Sequence, residues 1–319
     1  MKKRIATTLI ALCVMFLALP LVSSAKTTRQ KKTVYVAWSN IQTSNSFTST
    51  LCAIKAMGEE PVVLDQALSA DLAYDQNNML VDAKDEHGIL TTGAAKRVKI
   101  NTWYGSNVEK MMENVDYVVF PGGSDICPTL YYDEQQWHGI MEDANYSAER
   151  DVSDYILLSY CLDRDIPILC ICRGMQMLSV VSGAEMIQDL PQWYDEQGIK
   201  PSFLHRDPEK KTFTSHRVTI PPADSLIYRI MRADSIEGVP SWHHQAVKGV
   251  DNTRLVVTAY TEADGRRIVE AVERPDKTFC LGIQFHPEVA VRKWVDKEAD
   301  AENYMKYDDA IALFRALVR

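Results

Sequence analysis

The first part of the chain alternates short apolar runs with longer segments of helical character. Apolar, β-rich runs at residues 33–38 and 61–64 enclose a predicted helix at 48–57, which ends at Gly58. Because strands that alternate with helices usually pair in parallel, this order predicts βαβ units. The pattern therefore indicates an α/β fold with a mainly parallel sheet flanked by helices.

Two later apolar runs continue this pattern, and each leads directly into a turn. Residues 115–120 (VDYVVF) run into Pro-Gly-Gly, and residues 166–171 (IPILCI) run into Cys172. Between them, Ser147 can cap a predicted helix at 148–162, whose apolar positions fall near helical spacing. Such continuous apolar strands are typical of a sheet that is buried on both faces.

The last third of the chain predicts strands that follow one another closely. The predicted strands are 216–220, 255–260, 268–274 and 278–285. Pro275-Asp276-Lys277 joins the last two and predicts an added β-hairpin. Residues 298–318 predict a C-terminal helix, and the polar stretch 66–97 predicts an insertion or long loop. No repeat or linker divides the chain, which favours one domain over residues 33–319.

The first 25 residues have the features of a secretory signal peptide. Three basic residues at 2–4 precede an apolar run at 9–22, and Ser23-Ser24-Ala25 supplies the small residues that a signal peptidase requires. An uncleaved membrane anchor is the alternative, but the run is short for a span and Pro20 lies near its end. We therefore expect cleavage and an exported protein, periplasmic or extracellular.

Composition excludes several classes of protein. Removing residues 1–25 takes away three basic residues and no acidic one, so the net charge moves from −8 to −11 and 294 of 319 residues remain. An acidic chain without a basic patch is not expected to bind nucleic acid. No later apolar run could span a bilayer, so no membrane contact is expected after removal of the signal peptide. A hydrophobic content of 46% excludes global disorder.

The segment IPILCICRGMQ at residues 166–176 carries the candidate chemistry. Its order of buried strand, Cys172, Gly174 and helix is that of a nucleophile elbow, a sharp turn that raises a side chain above the carboxyl edge of a sheet. Gly174 is expected because a Cβ there would crowd the turn. A helix N-terminus favours a thiolate and can stabilise an oxyanion. Cys172 is therefore a candidate nucleophile for acyl transfer.

His286 is the candidate base for this nucleophile. It ends the predicted strand 278–285 and is followed by Pro287 and Glu288. Residues i and i+2 of an extended segment share a face, so Glu288 is expected beside His286. There the carboxylate would fix the histidine tautomer and stabilise its cation.

Four separated segments of the chain carry a resemblance to a known family. They are FPGGSDICPTLY at 120–131, Arg150-Asp151 with ICRGMQM at 171–177, SWHHQAV at 241–247 and GIQFHPE at 282–288. Together they resemble the class I glutamine amidotransferase-like superfamily, and in particular its peptidase C26 family of γ-glutamyl hydrolases and γ-glutamyl-γ-aminobutyrate hydrolases. The resemblance implies a single flavodoxin-like α/β domain that works without a metal or organic cofactor.

The resemblance also implies a catalytic triad. Cys172 would be the nucleophile, His286 the base and later the acid, and Glu288 the orienting carboxylate. Backbone N–H groups of the Gly122-Gly123 loop and of Arg173 would form the oxyanion hole.

Three further residues are implied to bind the substrate. Gln176 follows the elbow, and His243 and His244 belong to the His-His-Gln segment that would line the cleft. A metal site at these histidines is disfavoured, because no cysteine or carboxylate lies nearby at ligand spacing. Weaker candidates for shaping the cleft are Asp125, Tyr131 and Arg150.

One departure from the family concerns the reactive thiol. Cys170 stands where the family usually has glycine, two residues before the nucleophile, so two cysteines compete for that role. Cys172 is favoured because Gly174 follows it in the elbow position. The six cysteines after residue 25 do not resemble a disulfide framework.

The leading hypothesis is therefore an exported cysteine hydrolase that cleaves γ-glutamyl amide (isopeptide) bonds through a γ-glutamyl thioester on Cys172. Its partner would be a small-molecule or peptide γ-glutamyl substrate, and the resemblance allows a homodimer. Two alternatives stay open. A glutaminase subunit of an amidotransferase fits the same fold, although export argues against it. A catalytically inactive binding protein is disfavoured by the intact set of three residues.

Overall fold

The structure is a computed structural model that describes residues 31–137, 145–209 and 211–319. Residues Lys31–Arg319 form one compact unit. The predicted signal peptide at 1–25 lies outside the described residues. Within the described ranges, no helix is long and apolar enough to cross a membrane.

A large central sheet organises the described part of the chain. The strands are β1 Thr33–Val36, β2 Glu60–Val63, β3 Ala73–Tyr74, β4 Leu80–Val81, β5 Val118–Phe120, β6 Ile168–Ile171, β7 Glu185–Ile187, β8 Thr214–Thr219, β9 Ser235–Ser241, β10 Ala246–Gly249, β11 Val256–Ala263, β12 Arg266–Glu273 and β13 Cys280–Ile283. Nine of them form one sheet in the order β2-β1-β5-β6-β13-β12-β11-β8-β9. From β2 to β13 neighbouring strands are parallel, and from β13 to β9 they are antiparallel. The predicted α/β class is confirmed, and so is the hairpin between β12 and β13.

Helices cover both faces of this sheet. They are α1 Asn45–Ala56, α2 Thr92–Asn101, α3 Val108–Met111, α4 Ala148–Arg164, α5 Arg173–Val181, α6 Leu190–Gln197, α7 Leu226–Met231, α8 Pro287–Asp296 and α9 Tyr307–Leu317. Ser147 caps α4 as predicted, because its side chain accepts from the backbone N–H of Arg150.

The side chains of the central strands pack into two separate hydrophobic cores. In β6, Ile168 and Cys170 pack into one core, whereas Leu169 and Ile171 pack into the other. Successive side chains of a strand point to opposite faces, so a strand buried on both faces is apolar throughout. Each aliphatic side chain fully buried in this way contributes about 1.5–3 kcal/mol. The continuous apolar runs of the sequence thus mark the middle of the sheet.

The prediction of a long loop at residues 66–97 is wrong. The stretch contains the β3–β4 hairpin and the first turns of α2. Leu72 and Leu80 are buried in the core, and the backbone N–H of Ala67 donates to Ser153 Oγ of α4 at 3.0 Å. The apolar residues of this stretch that are buried in the core are isolated along the chain. Their positions in the sequence therefore show no helical or strand periodicity.

The C-terminal helix is also shorter than predicted. Residues 298–318 do not form one helix. The preceding helix α8 ends at Asp296, and Lys297 adopts a left-handed conformation with φ 57°. A 3-10 turn at Ala301–Asn303 follows, and α9 begins only at Tyr307. α8 itself starts immediately after His286, which has consequences for the site.

Candidate active site

Cys172 lies on a sharp turn between β6 and α5. Its backbone has φ 50° and ψ −105°, an unusual conformation for a residue other than glycine. The turn is fixed from two sides. The N–H of Cys172 donates to Ile283 O of β13 at 2.7 Å, and a Cβ on Gly174 would lie 2.4 Å from Phe120 O. The elbow geometry and the need for glycine at position 174 agree with the sequence analysis.

His286 and Glu288 lie together at the end of β13. The Nδ1 of His286 is 2.6 Å from Glu288 Oε1, and Ser46 Oγ donates to the same carboxylate oxygen at 2.7 Å. The predicted proximity is present, but the reason given for it was wrong. Pro287 begins α8, so Glu288 belongs to the first turn of a helix instead of an extended segment. A carboxylate is also favourable there because the N-terminal end of a helix is positive.

Charge and burial act in opposite directions on His286. Burial alone disfavours its cation, but the negative charges of Cys172 and Glu288 outweigh burial and raise the pKa of His286 from 6.5 to about 10. Nε2 of His286 has no hydrogen-bond partner among the described residues, which leaves this nitrogen available to Cys172. The arrangement favours the imidazolium form of His286 next to the candidate nucleophile, as the base of a cysteine nucleophile requires.

The Gly122-Gly123 loop lies directly against His286 and Ser46. A Cβ on Gly122 would come within 2.8 Å of His286 Cε1 and 2.7 Å of Ser46 Oγ, so only glycine fits there. From below, Arg150 Nη2 donates to Pro121 O and Gly122 O, both at 2.9 Å. Arg150 therefore holds the Gly122-Gly123 loop in place, in addition to lining the cleft.

A buried charge network supports both the loop and the elbow. The Arg173 side chain pairs with Asp151 and Asp154 of α4, and Asp154 also pairs with Arg150 at 3.5 Å. Asp151 Oδ2 accepts from the N–H of Cys127 at 2.9 Å. The Arg173 side chain thus points away from the cleft, while its backbone N–H lies in the first turn of α5, where no intrahelical acceptor is available.

A pocket of 430 Å³ opens onto Cys172 and His286. Gly123 lies on its wall, so the predicted nucleophile, base and oxyanion loop meet in one cavity. The other lining residues are Asn40, Ile41, Ser44, Asn45, Ser46, Ser124, Asn145, Arg150, Lys211, Thr212, Phe213, Trp242 and Lys293.

Gln176, His243 and His244 lie outside the wall of this pocket, contrary to expectation. Gln176 Nε2 donates to Gln245 O at 3.0 Å and to Gln284 Oε1 at 3.2 Å. The two histidines border a separate cavity of 510 Å³ beside α6. Internal contacts hold Nε2 of Gln176, Nδ1 of His243 and both ring nitrogens of His244, and none of the three side chains lines the pocket at Cys172.

His244 instead links the Gly122-Gly123 loop to α6. Its Nε2 lies 2.9 Å from Asp125 Oδ2, and its Nδ1 lies 2.8 Å from Asp189 Oδ1. Burial opposes its charge, but the hydrogen bonds to the two carboxylates outweigh burial and raise the pKa of His244 to about 9. Asp125 follows the oxyanion loop closely, so this ion pair helps to fix it. Tyr131 is fully buried near the same loop.

Access to the pocket distinguishes Cys172 from the other thiols. All six cysteines in the described ranges are free, and Cys172 lies on the pocket wall. Cys170 lies within β6, and burial raises its pKa well above 9.0. Burial raises the pKa of Cys280 to about 12 in the same way. The structure thus places Cys172, not Cys170, where a substrate can reach it.

Sequence reasoning missed Ser46. It stands at the start of α1, after β1 and at the carboxyl edge of the sheet, which is where ligands of open α/β sheets bind. The polar run Ser44-Asn45-Ser46 directly after an apolar strand could have indicated it. Ser46 both lines the pocket and contacts Glu288.

Comparison with known proteins gives several relatives. Protein NtpR of Enterococcus hirae is 36% identical over 183 residues, which cover 56% of this chain and 69% of that protein. A glutamine amidotransferase-like protein of Rickettsia prowazekii is 30% identical over 250 residues, covering 68% of this chain and 81% of that protein. The γ-glutamyl-γ-aminobutyrate hydrolase of Escherichia coli K12 is 33% identical over 190 residues, covering 57% of this chain and 68% of that protein.

A family model decides the classification. The model of Peptidase C26 matches residues 74–288, more than half of the chain. The match includes the elbow and reaches Glu288. The resemblance inferred from the four sequence segments is therefore confirmed, and the chain belongs to the Peptidase C26 family.

Proposed function

We propose that this protein hydrolyses γ-glutamyl amide bonds with Cys172 as the nucleophile. The observation that carries the proposal is that one pocket wall holds Cys172 on a strained turn, His286 paired with Glu288, and Gly123 of the glycine loop. Membership of a peptidase family supports a hydrolase. The relative in E. coli, named for its action on a γ-glutamyl amide, supports the substrate class.

The first step forms a thioester. The Cys172 thiolate attacks the side-chain carbonyl of the glutamyl group, a C–S bond forms, and the carbonyl π electrons move to oxygen. Backbone N–H groups of Gly123 and Arg173 are the proposed donors to this oxyanion. When the intermediate collapses, the C–N bond breaks and the His286 imidazolium gives its proton to the departing amine.

The second step regenerates the enzyme. Neutral His286 accepts a proton from water, and the resulting hydroxide attacks the thioester carbonyl. The C–S bond then breaks, glutamate leaves and the thiolate returns beside the imidazolium. Glu288 keeps Nδ1 protonated through both steps, so that Nε2 is the nitrogen that exchanges the proton.

The pocket supports a glutamyl group linked through its side chain. A γ-linked glutamyl residue keeps its α-amino and α-carboxylate groups free, and both need polar partners. Side chains of Asn40, Asn45 and Asn145 offer amide donors and acceptors on the wall, and Lys211 adds a cation. Trp242 provides an apolar surface for the leaving amine.

A hydrolysis screen tests this proposal. The protein without residues 1–25 is incubated with γ-glutamyl amides and peptides, with L-glutamine and with α-glutamyl controls, and glutamate and ammonia are measured. We expect γ-linked substrates to be cleaved, a γ-glutamyl adduct on Cys172 in intact-protein mass spectra, and no turnover by Cys172→Ala. The matched control Cys52→Ala should keep full activity, since Cys52 lies outside the pocket. Turnover by Cys172→Ala, or cleavage of α-linked controls alone, would contradict the proposal.

We also propose that the protein acts outside the cytoplasm, on the basis of residues 1–25. This favours a free-standing hydrolase over a glutaminase that supplies ammonia to a synthetase. N-terminal sequencing of the protein recovered from fractionated host cells tests it: an exported chain should begin at residue 26. A full-length cytoplasmic chain that releases ammonia from glutamine faster than it cleaves any γ-glutamyl amide would favour the glutaminase.

A further inference from the structure

Three histidines and one glutamate meet in the interior next to the active site. His205 comes from the loop after α6, His216 from β8, His243 from the loop after β9, and Glu270 from β12. Their relative exposures are 3%, 6%, 5% and 0%, so all four are buried. One nitrogen or oxygen atom from each lies within 4.8 Å of the others.

Six side-chain atoms of these residues make no hydrogen bond in the described structure. They are Nδ1 and Nε2 of His205, Nε2 of His216, Nε2 of His243 and both carboxylate oxygens of Glu270. An unsatisfied buried polar atom destabilises the fold, and an uncompensated buried carboxylate does so more strongly. One such atom from each of the four residues converges on the same place, which implies a ligand that satisfies them together, and the donor set is one of imidazole nitrogens and a carboxylate.

The outer hydrogen bonds orient two of the rings toward that point. His243 Nδ1 bonds to Gln245 O at 2.9 Å, and His216 Nδ1 bonds to Arg217 O at 3.2 Å. A backbone carbonyl can only accept, so each Nδ1 carries the proton and each Nε2 presents its lone pair to the cluster. Metal-binding histidines are commonly held by this kind of hydrogen bond. The ring of Phe203 stacks on that of His216, with 5.1 Å between the ring centroids, and so packs against the cluster.

Two of the three distances from Glu270 match tetrahedral coordination, and all four ligand atoms lie within 4.8 Å of one another, so the ligands would draw closer together around an ion. Glu270 Oε1 lies 3.4 Å from His205 Nδ1, 3.4 Å from His216 Nε2 and 4.0 Å from His243 Nε2. Tetrahedral zinc with bonds of about 2.0–2.1 Å separates its ligand atoms by about 3.3–3.4 Å. We propose that these four residues bind one divalent metal ion of the zinc type.

The role of this ion would be structural. Four protein ligands complete a tetrahedral shell, which leaves no position for a substrate. The site nevertheless touches both sides of the active site. His243 follows Trp242, whose carbonyl oxygen lies 3.9 Å from Cys172 Sγ, and Glu270 O accepts from the N–H of Gln284, two residues before His286. The ion would thus tie β8, β12 and the two loops together behind the catalytic groups.

Metal analysis of the wild-type protein tests the proposal directly. Tag-free protein is purified without chelator, and its metal content is measured by inductively coupled plasma mass spectrometry. It is then stripped with dipicolinate and titrated with ZnCl₂ or CoCl₂. We expect about one ion per chain, a lower Tm after stripping that Zn²⁺ restores, and the intense visible absorption of tetrahedral Co²⁺. Protein that carries no metal as purified and shows neither the Tm shift nor the Co²⁺ spectrum would overturn the proposal and favour buried water.

Variants locate the ion. His216→Asn and Glu270→Gln should each lose the bound metal and the response of Tm to Zn²⁺. His87→Asn is the matched control, because His87 is partly exposed and lies outside the cluster; it should keep one ion. If the cluster variants fold too poorly to measure, stripping and restoring the wild-type protein decides the question. Cluster variants that retain the ion would also overturn the proposal.

Discussion

Replacing Gly174 with alanine tests whether the elbow depends on the contact between α5 and β5. Gly174 is the second residue of α5, and a Cβ there would lie 2.4 Å from Phe120 O, 2.9 Å from Phe120 Cβ and 3.1 Å from Phe120 C. Alanine is otherwise favoured over glycine in helices by about 1 kcal/mol. The substitution therefore sets a helix preference against a steric clash with backbone.

The distances give the size of the clash. A relaxed C···O contact is about 3.3–3.6 Å, so the start of α5 must move away from Phe120 by about 1 Å. Overpacking of this kind costs about 1–3 kcal/mol, which exceeds the gain in helix propensity. Because Cys172 caps the same helix, its thiolate moves with it, and a displacement of about 1 Å at a reacting group can cost about 100-fold in rate.

Thermal unfolding and steady-state hydrolysis measure the two effects separately. We expect Gly174→Ala to lower Tm and to lower kcat/KM by about 100-fold. Gly249→Ala is the matched control, since a Cβ on Gly249 of β10 meets nothing within 4 Å; its Tm and activity should remain near wild type. A Gly174→Ala protein with the Tm and activity of the wild type would refute the reasoning, because the helix would then have room for a methyl group.

Four further outcomes follow from the site. Glu288→Gln keeps a hydrogen-bond acceptor but removes the charge that helps to hold the His286 pKa near 10. We therefore expect kcat/KM to fall by about 10²- to 10⁴-fold and the pH–rate profile to shift. An unchanged profile would exclude Glu288 as the orienting carboxylate. Ser46→Ala removes one hydrogen bond to that carboxylate and should lower kcat/KM by about tenfold, whereas no loss would show that Ser46 does not position Glu288. Iodoacetamide near neutral pH, with peptide mapping, should label Cys172 before any other cysteine; equal labelling would argue for an inactive protein. His244 has a pKa of about 9 in the folded state against 6.5 in the unfolded state. Its ion pairs therefore stabilise the fold fully below pH 6.5 and lose that effect as pH rises through 9. The Tm difference between wild type and His244→Asn should shrink over that range, and a constant difference would contradict this prediction.

The elbow could be predicted from sequence because all of its parts are local. Strand, cysteine, glycine and helix follow one another within 11 residues, and each has a steric requirement that sequence displays. The His286–Glu288 pair was predicted from the wrong local structure. In the structure His286 is the non-helical N-cap residue of α8, with φ −112° and ψ 74°, and Glu288 in the first turn of α8 contacts it from there.

The roles of the distant residues could not be predicted, because spacing along the chain does not encode them. Gln176, His243 and His244 were assigned to the cleft from the resemblance, yet their side chains contact other parts of the interior. Likewise, a metal site at His243 was disfavoured because no ligand lies near it in sequence. Its three companions in the cluster come from other segments, and only the assembly of β12, β11, β8 and β9 into one sheet brings them together.

The place of the active site in the sheet explains why both halves of the chain are needed. Cys172 follows β6, and His286 follows β13, the strand that pairs in parallel with β6 and antiparallel with β12 and so joins the two halves of the sheet. The bond from Cys172 N to Ile283 O joins the ends of these two strands. Because β13 can pair with β6 only after a long connection has formed, the catalytic pair is assembled by the non-local part of folding. A substitution that disturbs the β6–β13 register should therefore abolish activity even when both strands persist, since a shift of one residue would turn His286 away from Cys172.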